Sequence, residues 1–438
     1  MKHNGMRTFF IIWFGQLVSL IGTAMTRFAL LIWTYQQTGQ ATAVALLGFF
    51  SFVPYVLVSP LAGVVVDRYD RRWVMILADM GAGFMTIGLL ILYQADGLQI
   101  WHLYVAQALA GLFEAFQLPA YTAVSTTLVS KAQYGRINGL RSTANAAAEI
   151  IAPLSAGLFV TLVGIDGVML FDVTTFLVAM LTLFVVRLPH NHKPKSTEES
   201  EPFWQEVTAG LRFITARRGL LGLLITWVGI NLFAALTYFA ILPPMILARS
   251  GGSEMALASV QGTLGAAALV GGLVMSVWGG PRRKIHGALG FTAVSFLFGD
   301  FLFAIGRSLP VWLMAAAVSS FFIPLLVGSY RAIWQAKVPL EMQGRVFAVQ
   351  GALQTAAMPV GYLLAGPLAD HLFEPVMMPG GALADALGWL VGTGPGAGMG
   401  LMFVGTAVLG CLMSLSGYLT ADVREIETRL PDHDWQTA

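Results

Sequence analysis

Apolar residues run through this chain in long blocks separated by short polar breaks. The blocks fall near 9–34, 43–66, 73–93, 101–126, 137–162, 167–187, 219–247, 254–278, 285–306, 311–334, 343–372 and 398–420. Each has the roughly 20 residues that a helix needs to cross a bilayer. The alternation of a barrel strand is absent, and a backbone in lipid must satisfy its own hydrogen bonds, so every block is expected to be a helix. One polar break is long. "HNHKPKSTEESEP" is polar and carries proline, which predicts a flexible linker. "FWQEVTAGLRFI" follows with Phe203, Val207, Leu211 and Ile214 at helical spacing, which predicts an amphipathic helix at the membrane interface. The Gly-rich stretch from Phe373 to Gly398 reads as a loop with one short helix. The expected organisation is a six-helix bundle over 1–187, a linker over 188–218, a second six-helix bundle over 219–420 and a tail over 421–438.

Composition changes the picture from possible membrane helices to an obligate membrane protein. The 438 residues are 56% hydrophobic and only 11% charged, against about 25% charged in soluble domains. A net charge of +2 implies no nucleic acid or other polyanion as partner. The single cysteine, Cys411, excludes an intramolecular disulfide and sits in an apolar run as a packing residue. The first apolar run is too long for the core of a signal peptide and reads as the first span. With a cytoplasmic N-terminus, 22 of the 25 basic residues fall in inner segments; Arg249 and Arg307 are in outer loops and Arg27 is inside a span. The positive-inside rule therefore predicts a multi-pass protein of the bacterial cell membrane with both termini cytoplasmic.

The two halves echo each other. "TRFALL" at Thr26–Leu31 matches "TYFAIL" at Thr237–Leu242, and Arg71-Arg72 matches Arg282-Arg283, both 211 positions on. Gly135-Arg136 matches Gly344-Arg345 at an offset of 209. A parallel repeat of six spans is the signature of a transporter whose bundles rock about a central site.

The densest charge lies in "AGVVVDRYDRRWVM", between the second and third spans. With Gly63, Asp67, Arg68, Arg71 and Arg72 it resembles the G-x-x-x-D-R-x-G-R-[RK] motif of the major facilitator superfamily; Asp70 stands where that motif has glycine. The resemblance extends over nearly the whole chain. It implies that this turn latches the two bundles on the cytoplasmic side, Asp67 facing a helix N-terminus in the other half and the arginines pairing with carboxylates or helix C-termini. Span five carries Gly139, Ala148, Ala152, Pro153, Ala156 and Gly157, a degenerate form of that family's antiporter motif; small residues allow close helix approach and proline bends the helix. "QQTG", "SPLAGVVVDRYDRR" and "EAFQLPA" resemble the drug-exporter branch that includes macrolide-efflux and siderophore-export proteins. The span-four arginine of many proton-coupled relatives is replaced here by Gln107, four positions before Gly111.

Ionisable residues at depth are the candidate chemistry. Arg27, Glu114, Glu149, Asp172 and Asp300 fall within spans, and each costs about 2.5–3.5 kcal/mol at a helix centre unless it faces a partner or water. Gln16, Ser19, Thr23, Thr26 and Arg27 share one helical face, as do Gln107, Glu114 and Gln117 in span four, so these faces should line a cavity. The resemblance adds Asn231 and Tyr238 from span seven. Arg27 and Glu114 are expected to couple electrostatically, with Glu149 as the rival proton carrier and Asp172 and Asp300, nearer span ends, as structural groups. Zinc-protease, nucleophile-elbow and phosphate-loop motifs are absent, so neither an enzyme, nor ATP as a driver, nor a cofactor or metal is expected.

The reading is an all-α membrane protein with the major facilitator fold, twelve helices in two bundles: a monomeric, proton-coupled exporter of a small amphipathic drug or secondary metabolite. The alternatives are a lipid (lysophospholipid) transporter or solute importer of the same fold, and more remotely a membrane-embedded enzyme.

Overall fold

The computed structural model describes residues 5–130, 133–186 and 203–432, apart from the side chains of Val64, Asp67, Phe203 and Trp204. The linker segment 188–202 lies outside the described residues. The chain divides into two compact units, one holding residues 1–198 and 257–262, the other 199–256 and 263–438.

The first unit is built from α1 (Gly5–Thr38), α2 (Ala41–Arg68), α3 (Arg71–Gln94), α4 (Ile100–Leu128) and α5 (Tyr134–Val185). Between α2 and α3, Asp70 is the N-cap: its Oδ1 accepts from the Arg72 backbone N–H at 2.9 Å. A carboxylate thus satisfies an orphan amide at the position where the family motif has glycine. α5 is too long for one crossing, at 52 residues, and breaks at Gly164 (φ 74°, ψ 179°), a conformation that only glycine adopts readily. Its arms, 134–163 and 165–185, are the fifth and sixth spans. α1 packs along α5, α2 crosses α4, and α3 lies against α4 and α5. Two apolar cores result among the described residues. One, around Ile12, Met75, Ile76, Phe176 and Met180, sits at the end bearing the arginine turn; the other, around Leu30, Leu90, Leu103 and Met169, sits at the opposite end. Gln16, Thr23, Asp79, Thr86, Glu114, Gln117 and Asp172 fall in the band between them.

The second unit opens with α6 (Phe203–Thr215), the expected amphipathic helix. Val207 and the fully buried Ile214 join the core of this unit, and a Cβ at Gly210 would stand 2.6 Å from the Arg345 carbonyl. Two of the four expected apolar positions thus pack on protein, where glycine lets another backbone approach, while Leu211 stays exposed. The seventh span runs through α7 (Arg218–Ala234), a π-helical segment (Ala235–Phe239) and α8 (Leu242–Arg249). Next come α9 (Glu254–Trp278); α10 (Lys284–Val294), a π segment (Ser295–Asp300) and α11 (Phe301–Ile305); and α12 (Leu309–Lys337). The eleventh span is α13 (Leu340–Pro367) with a π segment (Leu368–Phe373), and the twelfth is α16 (Ala397–Ser416). Between them the expected loop holds two short helices rather than one, α14 (Glu374–Met377) and α15 (Ala384–Val391). Among the described residues nine helical stretches pass a strict test of length and apolarity for crossing a membrane. α5 is counted once there, and the more polar α4 and α13 are left out, so the fold remains one of twelve crossings in two bundles of six.

After α16 the chain folds back through α17 (Ala421–Arg424) and α18 (Ile426–Arg429). Val423 and Ile426 enter the core. Both carboxylate oxygens of Glu427 accept backbone N–H groups at the start of α10, from Lys284 at 2.9 Å and Ile285 at 3.1 Å. The buried Lys337 Nζ donates to the Glu427 carbonyl at 2.8 Å and to Asp432 Oδ1 at 2.7 Å, and also to the Leu430 carbonyl.

Candidate functional site

A cavity of about 540 Å³ opens in the first unit, walled by α1, α2, α3, α4 and α5. It occupies the band between the two apolar cores. α1 sends in Gln16, Ser19, Thr23 and Arg27, spaced so that one helical face is polar. α4 adds Glu114 and Gln117, and α3 adds Asp79 and Thr86. Trp13, Phe52, Tyr55, Tyr121 and Phe176 supply aromatic wall.

Three polar assemblies organise this space. Arg27 Nη2 meets Glu114 Oε2 at 2.8 Å, and each side chain keeps 43% of its surface exposed, so the pair bridges α1 and α4 within reach of solvent. Asp172, on the second arm of α5, is 2% exposed; it accepts from Thr23 Oγ1 and Thr86 Oγ1 at 3.0 Å each. α1 reaches it because Gly22 has no side chain: a Cβ there would sit 2.2 Å from Thr175 Oγ1 and 3.1 Å from Asp172 Oδ1. The Asp172 carboxylate also attracts the Arg27 guanidinium. The third assembly is Asp79, 7% exposed. Its Oδ2 accepts from Gln16 Nε2 and its Oδ1 from Gln117 Nε2, both at 2.7 Å. Arg141, also on the wall, donates to Thr122 Oγ1 at 2.9 Å and lies 5.3 Å from the Tyr121 ring centroid, a cation–π geometry.

Arg27, Glu114, Gln16, Thr23 and Gln117 are therefore brought together, and Asp172 joins them instead of holding a span end. Gln107 is half-buried and outside the wall, which stops at Ala110. At about 1.5 Å per residue it stands some 10 Å along α4 from Glu114, so a shared face was not a shared depth. Glu149 is exposed on α5 and outside the wall, while Asn145, one turn earlier, lines it. Asn231 and Tyr238 belong to the second unit: the Asn231 amide donates to the Trp227 carbonyl at 2.9 Å, and Tyr238 sits in the first π segment, 5.1 Å edge-to-face from Phe239. Asp300 is buried there, accepting from Thr406 Oγ1 at 3.3 Å.

Of the arginine turn, Gly63 and Arg68 lie in the last turns of α2, and the Asp67 side chain lies outside the described residues. Arg72 Nη2 donates to the Leu183 and Phe184 carbonyls at 2.9 and 3.2 Å, closing the C-terminal end of the sixth span. In the small-residue face of α5, Gly139 is exposed, Pro153 half-buried, and Ala148, Ala152, Ala156 and Gly157 buried. Among the described residues no three His, Cys, Asp or Glu groups converge as a metal site would need.

Sequence reasoning missed Asp79. The signal was present: Asp79, Ala82, Gly83 and Thr86 fall at i, i+3, i+4 and i+7, a small and polar stripe on an otherwise apolar helix.

The family model of the Major Facilitator Superfamily matches residues 12–362. Macrolide efflux protein A of Streptococcus pyogenes is 27% identical over 380 residues, covering 85% of this chain and 92% of that protein. Multidrug efflux pump Tap of Mycobacterium tuberculosis is 27% identical over 385 residues, covering 84% and 89%. Among solved structures, a bacterial homolog of the human lysosomal transporter Spinster superposes with a TM-score of 0.67 at 13% identity, over 95% of this chain and 97% of that one. A bacterial homologue of the iron transporter ferroportin gives 0.65 at 16% identity, over 94% and 98%. These two likenesses concern the fold.

Proposed function

The chain belongs to the Major Facilitator Superfamily, and from that membership we propose that it is a secondary active exporter of amphipathic drugs or secondary metabolites, driven by inward proton flow. The observation that carries this reading is the Arg27–Glu114 ion pair on the wall of an aromatic-lined cavity. An ion pair in a membrane is expensive and is retained where its making and breaking does work. Protonation of Glu114 removes the partner of Arg27, leaves Asp172 as the remaining nearby anion, and shifts the preference between inward- and outward-open states. The efflux functions named for the two relatives, at 27% identity across most of both chains, support export over import. The charge bias of Lys and Arg supports cytoplasmic termini, and the arginine turn then acts as a cytoplasmic latch.

Two measurements test this. Deleting the gene should raise intracellular accumulation of a panel of amphipathic compounds, and unchanged accumulation across the panel would refute export. In inverted vesicles, Glu114→Gln should abolish proton-driven uptake, whereas Glu149→Gln, outside the cavity wall, should reduce it at most a few-fold. Full activity of Glu114→Gln would eliminate that carboxylate as the obligatory coupling group.

A further inference from the structure

Asp79 differs from the other two carboxylates on the cavity wall. Glu114 is paired with Arg27, and Asp172 has Arg27 nearby. Asp79 is held by two neutral amides, Gln16 and Gln117, and has no ion-pair partner among the described residues. The wall also presents Arg27 from α1, Tyr55 from α2, Glu114 and Tyr121 from α4, and Arg141 and Asp172 from α5. Arg27 is committed to Glu114, and Arg141 to Thr122 and the Tyr121 ring. With three carboxylates against two guanidiniums among the described residues, the wall carries one uncompensated negative charge when all are ionised. Asp172 is also held by neutral hydroxyls, from Thr23 and Thr86, but it has Arg27 nearby, which leaves Asp79 as the least compensated of the three.

We propose that Asp79 is the anchor for the positive charge of an organic cation, whose apolar body is received by the aromatic wall. A carboxylate has about four acceptor positions. The two glutamine amides take one on each oxygen and fix the group in place, which leaves the remaining lone pairs to an ammonium N–H, or the bare charge to a quaternary centre. The amides neutralise nothing, so at this buried carboxylate the charge attracts a cation more strongly than it would in water. A cavity of about 540 Å³ lies within the usual range for small-molecule sites, and aromatic faces favour cations in their own right. A proton competes for the same oxygens, so cation binding weakens as the pH falls. The inference rests on the export reading only in taking this cavity as the cargo site.

The test uses the purified full chain in detergent micelles with ethidium as the permanent cation, read by its fluorescence. Wild type should bind ethidium with an affinity that declines on acidification. Asp79→Asn should lose at least about tenfold in affinity and lose that pH dependence, its fold being checked by melting and elution profile. A second arm needs no variant. Dicyclohexylcarbodiimide, which modifies protonated buried carboxyls, should label Asp79 in wild type by mass spectrometry, and ethidium should protect it. Wild-type affinity in Asp79→Asn, or undiminished labelling of Asp79 in saturating ethidium, overturns the proposal. So does a wild-type protein that binds no ethidium, and that outcome leaves export, which is judged by accumulation in cells, untouched.

Discussion

Single side chains are set to different tasks in this molecule by the partners that surround them. Arg249, which sequence reasoning placed in an outer loop, is committed to backbone: it donates to the carbonyls of Gly396 at 3.0 Å, Phe303 at 3.2 Å, Ala304 at 2.9 Å, Gly306 at 2.8 Å and Val391 at 3.0 Å. One planar fork thus closes the ends of α11 and α15. Glu374 works beside it from the acidic side, accepting the N–H groups of Gly396 and Met399 at the start of α16 at 3.1 and 2.8 Å. Lysine has neither the geometry nor the number of donors for this task. Arg249→Lys should therefore lower stability nearly as much as Arg249→Ala, which strands several carbonyls at a cost on the order of 3 kcal/mol. The buried Cys411, the chain's single cysteine, offers the readout: a thiol-reactive coumarin should report unfolding at a lower temperature in both variants. A melt that matches wild type would show that the carbonyls find other donors. Arg27 and Glu114 were legible because each was an expensive charge on a polar face. Asp79 was passed over although its stripe was there to read, because one acid among "ILADMGAG" has no second charge within a turn of it and the stripe is made mostly of small residues.

Elements repeat between the units with a twist that the sequence repeat hides. In the first unit a Cβ on Gly111 of α4 would stand 2.0 Å from the Ser51 carbonyl of α2; in the second, a Cβ on Gly271 of α9 would stand 2.1 Å from the Phe321 carbonyl of α12. The second and fourth helices of each bundle cross without a side chain between them, but the glycine sits on opposite partners. The carboxyl clusters trade places in the same way. Asp172 of the sixth span accepts from Thr86 of the third, whereas Asp300 of the ninth accepts from Thr406 of the twelfth, and Thr406 Oγ1 lies 3.1 Å from Thr237 Oγ1 of the seventh. Matching of letters finds Arg-Arg and Gly-Arg but misses these pairs, since the chemistry is kept while the residue moves to the other helix. The three π segments escape notice for a related reason, as a π turn differs from an α turn only in its hydrogen-bond register. Replacing Gly111 or Gly271 by valine should force the crossing apart and cost several kcal/mol, read as loss of the monodisperse elution peak. Ser51→Ala, which keeps the carbonyl, should elute as wild type.

At the scale of the whole molecule the twelve crossings were legible from apolar block length alone, because lipid permits few alternatives. The return of the tail was not, since "ADVREIETRLPD" gives no hint of what it touches. Glu425 accepts from Arg424 Nη2 and Arg429 Nε at 2.9 Å each, and these hydrogen bonds hold its carboxyl below the usual glutamate range. The sign follows from linkage. A depressed value means stability that is fully present above the ordinary glutamate pKa of about 4.3 and is lost as the pH falls through the lower folded value. Backbone hydrogen exchange over 421–430, corrected for its intrinsic pH dependence, should accelerate below about pH 4. High salt should weaken the same protection at neutral pH, because the cluster is exposed. Protection that ignores both would assign the docking to the buried Val423 and Ile426 and to the carbonyls held by Lys337.

The Glu427 carboxylate has a consequence for biogenesis. The helix start that it caps precedes it by 143 residues, and at 5–20 residues per second a ribosome takes roughly 7–30 s to make that stretch. Throughout that interval the first amides of α10 lack this cap and depend on water or other acceptors, so the second bundle reaches its finished state only once the tail has been synthesised.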